Sequence, residues 1–233
     1  MIDRRRLARG LTLACWAGFF AWLHVGGEKT RYLGPRTYWV VVFGAVVLGA
    51  AAAAHFATLR TPSPRRLGRG DAAALAMLLL PLLVVAAVPS AQLGALAASR
   101  KTAGAGAGAV GVIAPPAPDP DAPVSFVDVH YASESEAYAA EAGIAEGMEV
   151  ELTGFVTHPA GLPDATLGLT RFQVSCCAAD AVPYTVPVAF DPASRRDDEW
   201  LRVRGRLASR DGVYVLDPVE ITPVDAPSDP YLY

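Results

Sequence analysis

Two folds in series are predicted by this sequence. An N-terminal α-helical transmembrane region of about three spans leads into a C-terminal, mainly β domain, an OB-like small barrel. Three observations predict them. Residues 1–118 carry 13 Lys and Arg against Asp3, Glu28 and Asp71, whereas residues 119–233 carry seven Arg against 20 acids. Long apolar runs occupy the basic part, and short segments of alternating polarity occupy the acidic part. A basic, apolar half joined to an acidic half is the pattern of a membrane anchor carrying a water-facing domain.

The first run is Leu7 to Val25, preceded by Arg4, Arg5 and Arg6. This basic start resembles a signal peptide, but no small-x-small cleavage site follows Phe19-Phe20-Ala21-Trp22, so an uncleaved helix is expected. Tyr38 to Leu59 contains no Asp, Glu, Lys or Arg and is long enough for a hydrocarbon core of about 30 Å. Tyr38 and Trp39 suit an interfacial aromatic belt. The third run, Ala72 to Ala98, contains Pro81 and Pro89, which predicts a kinked span or a re-entrant segment; two full spans and three are both open. Together they make residues 1–98 the anchor.

Basic flanks set the expected orientation. Arg4, Arg5, Arg6 and Arg9 at the N-terminus join Arg60, Arg65, Arg66 and Arg69 between the second and third runs. Only Lys29, Arg31, Arg36, Arg100 and Lys101 lie on the other side. The excess predicts a multi-pass cell-membrane protein with a cytoplasmic N-terminus and an extracytoplasmic C-terminal domain. His24 and His55 lie near span ends and read as interfacial imidazoles rather than ion-pathway groups. Gly44, Gly49 and Ala50–Ala54 would let a second helix approach closely.

Residues 99–123, rich in Ala, Gly and Pro, read as a flexible linker, and residues 124–233 as the β domain. Strands are predicted at Met148–Thr157, Leu167–Ser175, Tyr184–Phe190, Trp200–Ala208, Val213–Leu216 and Val219–Thr222. Asp211-Gly212 marks a tight turn. Ser133–Glu146 is the one predicted helix, with acids at its start. Short strands with one helix in roughly 100 residues point to a small closed barrel. Gly154 and Gly205 suit points of strand curvature, and Trp200 suits a core aromatic. Arg202, Arg204 and Arg206 alternate along one strand and read as a solvated face. The acidic balance opposes nucleic-acid binding, which needs clustered Lys and Arg.

Within the β domain, Arg171-Phe172 through Cys176-Cys177-Ala178-Ala179-Asp180-Ala181 resembles the signature of a bacterial family of permease subunits. Gly154-Phe155-Val156 and Trp200-Leu201-Arg202-Val203-Arg204-Gly205 are similar to its other marks. The layout is similar too: a basic start, a few membrane helices, a variable linker and this C-terminal domain. The resemblance implies a multi-spanning permease as partner, beside the lipid bilayer, and a connection of some members to metal-ion handling. It covers residues 147–208 by motif and supplies no catalytic residue.

Adjacent residues of a regular strand point to opposite faces, so Cys176 and Cys177 would then not share an ion. If the chain instead turns after Cys177, Asp180 comes three and four residues behind the thiols and can join them. Cys176, Cys177, Asp180 and His158 are therefore the candidate ligands for zinc or another divalent metal, with His130 a poorer imidazole. A vicinal disulfide is a second reading, strained because consecutive Cα atoms are only about 3.8 Å apart. A core-filling cysteine with an incidental neighbour is a third, and Asp180 also suits a turn cap. The functions that follow are an accessory permease subunit with a substrate-sensing barrel, an extracytoplasmic thiol redox protein, or a tethered envelope-binding module. Lacking a nucleophile–histidine–acid set or a phosphate-cradling loop, the chain is not expected to be an enzyme.

Overall fold

A computed structural model describes residues 2–60, 67–87, 92–105 and 117–233. The chain divides into two compact units, residues 1–92 with 176–178 and residues 93–175 with 179–233.

The first unit is helical. Helix α1 spans Arg4–Val25, α2 Tyr38–Ala57 and α3 Arg69–Ala87. The Asp3 carboxylate caps α1 by accepting from the Arg5 and Arg6 amides. Small residues bring α1 and α2 together: Gly10 lies under the Phe56 ring, Gly44 under Phe20 and Gly49 against Ala17, which makes the pair antiparallel. Arg5 pairs with Asp71 of α3 at 2.7 Å, and the Trp16 indole donates to the Leu78 carbonyl. Pro81 lies within α3.

Two helices, Pro35–Ala57 and Arg69–Ala87, are long and apolar enough to cross a membrane. They leave Trp39, Phe43, Val46, Met77, Leu80 and Leu83 exposed. Helix α1 is not one of them among the described residues, because Arg9, Thr12 and His24 dilute its apolar run. The third expected span ran to Ala98, yet α3 ends at Ala87, and Pro89 lies outside the described residues, as do Arg65 and Arg66 of the basic loop. Residues placed at the span's end and in the linker instead form helix α4, Ala95–Ala105, in the second unit. Its alanine content favours helix and lets the backbone pack closely. Residues 106–116 of the expected linker lie outside the described residues.

The second unit is built on a closed five-stranded barrel. Strands β1 (Glu149–Thr157), β2 (Leu167–Gln173), β3 (Val182–Val188), β4 (Trp200–Arg210) and β5 (Val213–Pro223) run around it in the order β1-β2-β3-β5-β4, and β4 closes on β1. Only β3 and β5 pair in parallel among these five. A sixth short strand, β6 (Tyr231–Leu232), lies parallel to the end of β2. The two strands expected at 213–216 and 219–222 are one continuous β5, with a register shift opposite Arg204 and Gly205 that absorbs the irregularity. Asp211 and Gly212 both take positive φ in the β4–β5 turn, the geometry a two-residue hairpin needs.

Helices α5 (Phe126–Glu134) and α6 (Glu136–Glu141) precede the barrel and replace the single helix expected at 133–146. Ser125 and Asp128 form a capping box that starts α5 well before Ser133. Ser135 is extended; it ends α5 and caps α6 through its hydroxyl. Gly143, at positive φ, then stops the helix at Glu141, short of Glu146. The Tyr138 hydroxyl donates to Asp128 at 2.8 Å and ties the two helices. Burial, reinforced by this bond, pushes the phenol above its ordinary pKa.

The core has two parts. Phe126, Val129, Leu152, Leu169, Val186, Val203 and Leu216 belong to the larger. The smaller joins Ala98 of α4 to Phe155, Phe172, Val174, Ala181 and Tyr231, with Trp200 partly buried at its margin. Phe155 stacks on Phe172 at 5.7 Å, and burying one such ring contributes about 1.5–3 kcal/mol.

Strand β1 pairs with β4 over residues 149–155 and with β2 over 155–157, so it changes partner just after Gly154. A Cβ there would stand 2.7 Å from the Thr170 carbonyl and 2.8 Å from the Phe126 ring. Gly154→Ala therefore overpacks the bend and should destabilise the barrel by about 1–3 kcal/mol. Denaturant unfolding of the detergent-solubilised chain measures it; an unchanged midpoint would mean the bend does not need the glycine.

Candidate metal centre

The β2–β3 connection carries the candidate ligands. Strand β2 ends at Gln173, buried Val174 anchors the exit, and Ser175 to Asp180 form a loop closed by a 3-10 turn at Ala178–Asp180. Because the chain has left the strand, the two cysteines need not point to opposite faces. Their sulfurs lie 3.7 Å apart as thiols, too far for a disulfide bond. The turn carries Asp180 back over them: one ligand atom from each of Cys176, Cys177 and Asp180 falls within 4.8 Å of the others. Asp180 also accepts the Ser175 amide at 3.0 Å, which closes the loop. Cys176 is exposed, while Cys177 and Asp180 are half-buried.

His158, at the end of β1, has both ring nitrogens engaged elsewhere. Nδ1 lies 2.8 Å from Asp197 and Nε2 lies 2.9 Å from the Pro192 carbonyl. His130 sits on α5, 3.5 Å from Glu134 and edge-on to the rings of Tyr131 and Tyr184. Among the described residues, the group able to hold an ion is Cys176, Cys177 and Asp180.

Three residues whose contacts no spacing rule reveals brace the elements around this loop, and one of them, Lys101, bonds the loop itself. Arg171, largely buried beside the Trp200 ring, donates to three carbonyls: Thr153 at the β1 bend, and Asp229 and Pro230 before β6. Burial lowers its pKa from the ordinary guanidinium value. Lys101 of α4 donates to the Ala179 carbonyl at 2.9 Å, inside the turn that carries Asp180. Asp198 accepts the Ala95 amide at the start of α4. Arg171 was the legible one, as a charged residue within an otherwise apolar strand run.

Strand β4 presents a different surface. Arg204 bridges Glu149 at 3.1 Å and Glu220 at 2.9 Å, Arg202 faces Glu151, and Arg210 faces Asp217. The two carboxylates hold Arg204 above its ordinary pKa, and Arg204 in turn lowers that of Glu220.

Both acceptors of His158 are satisfied together only by the imidazolium, and its bond to Asp197 raises its pKa. The contribution is therefore complete below the ordinary histidine pKa of about 6.5 and is lost as pH rises through the raised value. His158→Gln should lower stability by roughly 0.5 kcal/mol on the acid side, a small effect because the pair is partly exposed. The difference from wild type should shrink in alkaline buffer. Paired melting curves across pH check it; a constant difference would contradict the charged latch.

Residues 121–233 match the DUF1980 C-terminal domain family, to which this stretch is similar. That stretch holds α5, α6, all six strands and the three ligand candidates, and it begins after α4. No curated protein matches the chain.

Proposed function

We propose that this protein is a membrane-anchored accessory subunit of a multi-spanning permease, and that its barrel binds a thiophilic divalent cation, zinc first, on the transporter's behalf. One observation carries the reading: the 3.7 Å separation of the Cys176 and Cys177 sulfurs with the Asp180 carboxylate beside them. Zinc–sulfur bonds of about 2.3 Å in a tetrahedron put two thiolates about 3.8 Å apart, so the pair already stands near a shared coordination edge. Two sulfurs and one oxygen leave a position open, as a site of transient binding and transfer requires; structural zinc sites close all four. Both thiols have to lose protons to ligate, so affinity falls on acidification.

The permease partner is supported by the resemblance of the Arg171–Ala181 stretch and its companion motifs. Anchoring is supported by the two long apolar helices and their exposed side chains. On this reading α1 is the third span, packed on α2 and α3, and the excess of Arg on the N-terminal side leaves the barrel outside the cytoplasm. The strand order β1-β2-β3-β5-β4, closed on itself, supports an OB-like barrel. The role is recruitment or sensing of substrate, with no chemical turnover.

Cadmium titration of the reduced, full-length protein in detergent tests the site through thiolate charge-transfer absorbance. One equivalent should bind. Cys176→Ser or Cys177→Ser should weaken binding by at least about a hundredfold, and Asp180→Asn by about tenfold. Cadmium affinity indifferent to all three changes removes the cation reading. Reversible disulfide formation without cation binding would replace it by thiol redox chemistry. In intact cells, a membrane-impermeant maleimide should label Cys176 from outside; labelling only after lysis would reverse the orientation. Affinity capture from native membranes should retain a multi-spanning transporter, and capture of the chain alone would count against the subunit role.

A further inference from the structure

We infer that helix α4 is the positioning element of the Cys176–Cys177–Asp180 cluster, acting through Lys101, so that cation binding and docking of α4 on the barrel strengthen each other. The inference rests on the cation reading of that cluster and adds its regulation.

Three contacts fix α4 to the barrel. At its start, Asp198 Oδ1 accepts the Ala95 amide at 2.6 Å. Asp198 takes a φ of +67° to do so, an uncommon conformation for a residue with a side chain. Gly94 leaves room for that carboxylate, which any Cβ would strike. One turn on, Ala98 is 6% exposed and packs in the cluster that holds Val174 and Ala181. Those two residues bracket the loop 175–180, so the same apolar contacts seat the helix and both ends of the ligand loop. Lys101 then donates to the carbonyl of Ala179, the middle residue of the turn Ala178–Asp180.

That turn brings the carboxylate to the thiols. The bond from Lys101 to the Ala179 carbonyl adds to the Ser175–Asp180 bond in keeping the turn wound and Asp180 in its place. Groups that orient ligands in this indirect way typically govern affinity by 10–100-fold. The coupling is reciprocal by thermodynamic necessity: whatever α4 does for the cation, the cation does for the docking of α4. Only residues 88–94 separate α4 from α3, which is long and apolar enough to cross a bilayer. Loading of the cluster is thus felt in α4, which follows this apolar helix in the chain.

The test uses the full-length, reduced protein in detergent. Cadmium affinity is compared for wild type, Lys101→Met and Lys101→Arg, and amide exchange over residues 93–101 of wild type is followed with and without cadmium. Lys101→Met should weaken cadmium binding about tenfold, Lys101→Arg should keep it within about threefold, and cadmium should slow exchange in α4. Unchanged affinity in Lys101→Met, or α4 exchange indifferent to cadmium in a wild type that binds it, overturns the coupling. A wild type that binds no cadmium overturns the cation reading first and the coupling with it. Exchange is read on wild type, so a Lys101→Met protein that fails to fold leaves the inference open to refutation.

Discussion

Closure of the barrel depends on β1 serving two partners in succession. Residues 149–155 complete a ladder with β4, and residues 155–157 begin another with β2. The change takes place at a point where the Thr170 carbonyl and the Phe126 ring both press on the backbone, and glycine is the residue that fits. From that bend the rest follows. It delivers Phe155 onto Phe172, sets the direction of β2 and fixes where β2 releases the chain into the Cys176–Asp180 loop. Arg171 secures the same corner by holding the Thr153 carbonyl on one side and the approach to β6 on the other.

Much of the barrel was legible because its strands obey the period of two. Val150, Leu152, Val203 and Leu207 alternate with charged neighbours, and the structure buries the apolar member of each pair. The helices were harder to read. Phe126-Val127-Asp128-Val129 has the composition of a strand, and only the Ser125–Asp128 cap makes it the start of a helix. Helix α4 was hidden differently: Ala, Gly and Lys near a membrane run look like a tether, and its partners, Asp198 and Ala179, are distant in sequence. For the ligand loop, spacing named Cys176, Cys177 and Asp180 as a set conditional on a turn. No local signal says that Ala178–Asp180 winds. His158 has a carboxylate and a carbonyl on its ring nitrogens, contacts that no spacing rule reveals.

The polar groups of the barrel strands and the β2–β3 loop divide into two chemistries. Across β1, β4 and β5, arginines and glutamates face one another in rows, so opposite charges are matched on the sheet itself and little field extends outward. At the β2–β3 loop, two soft sulfurs and one hard carboxylate oxygen converge, a mixed donor set. A domain acidic overall thus gathers two thiols and Asp180 in one short loop, next to α4 and the smaller apolar cluster.

The placement of β6 has a consequence for the behaviour of the domain among other chains. Strand β1 pairs with β2 only over residues 168–170, so beyond Thr170 that side of β2 would present bare amide and carbonyl groups. Tyr231 and Leu232 lie along it, opposite Phe172 and Gln173. An open strand edge is a template for stray chains, the usual first step of edge-to-edge aggregation. The short parallel strand covers the seam with the chain's own backbone, beside the loop where exposed sulfur already makes unwanted association a hazard.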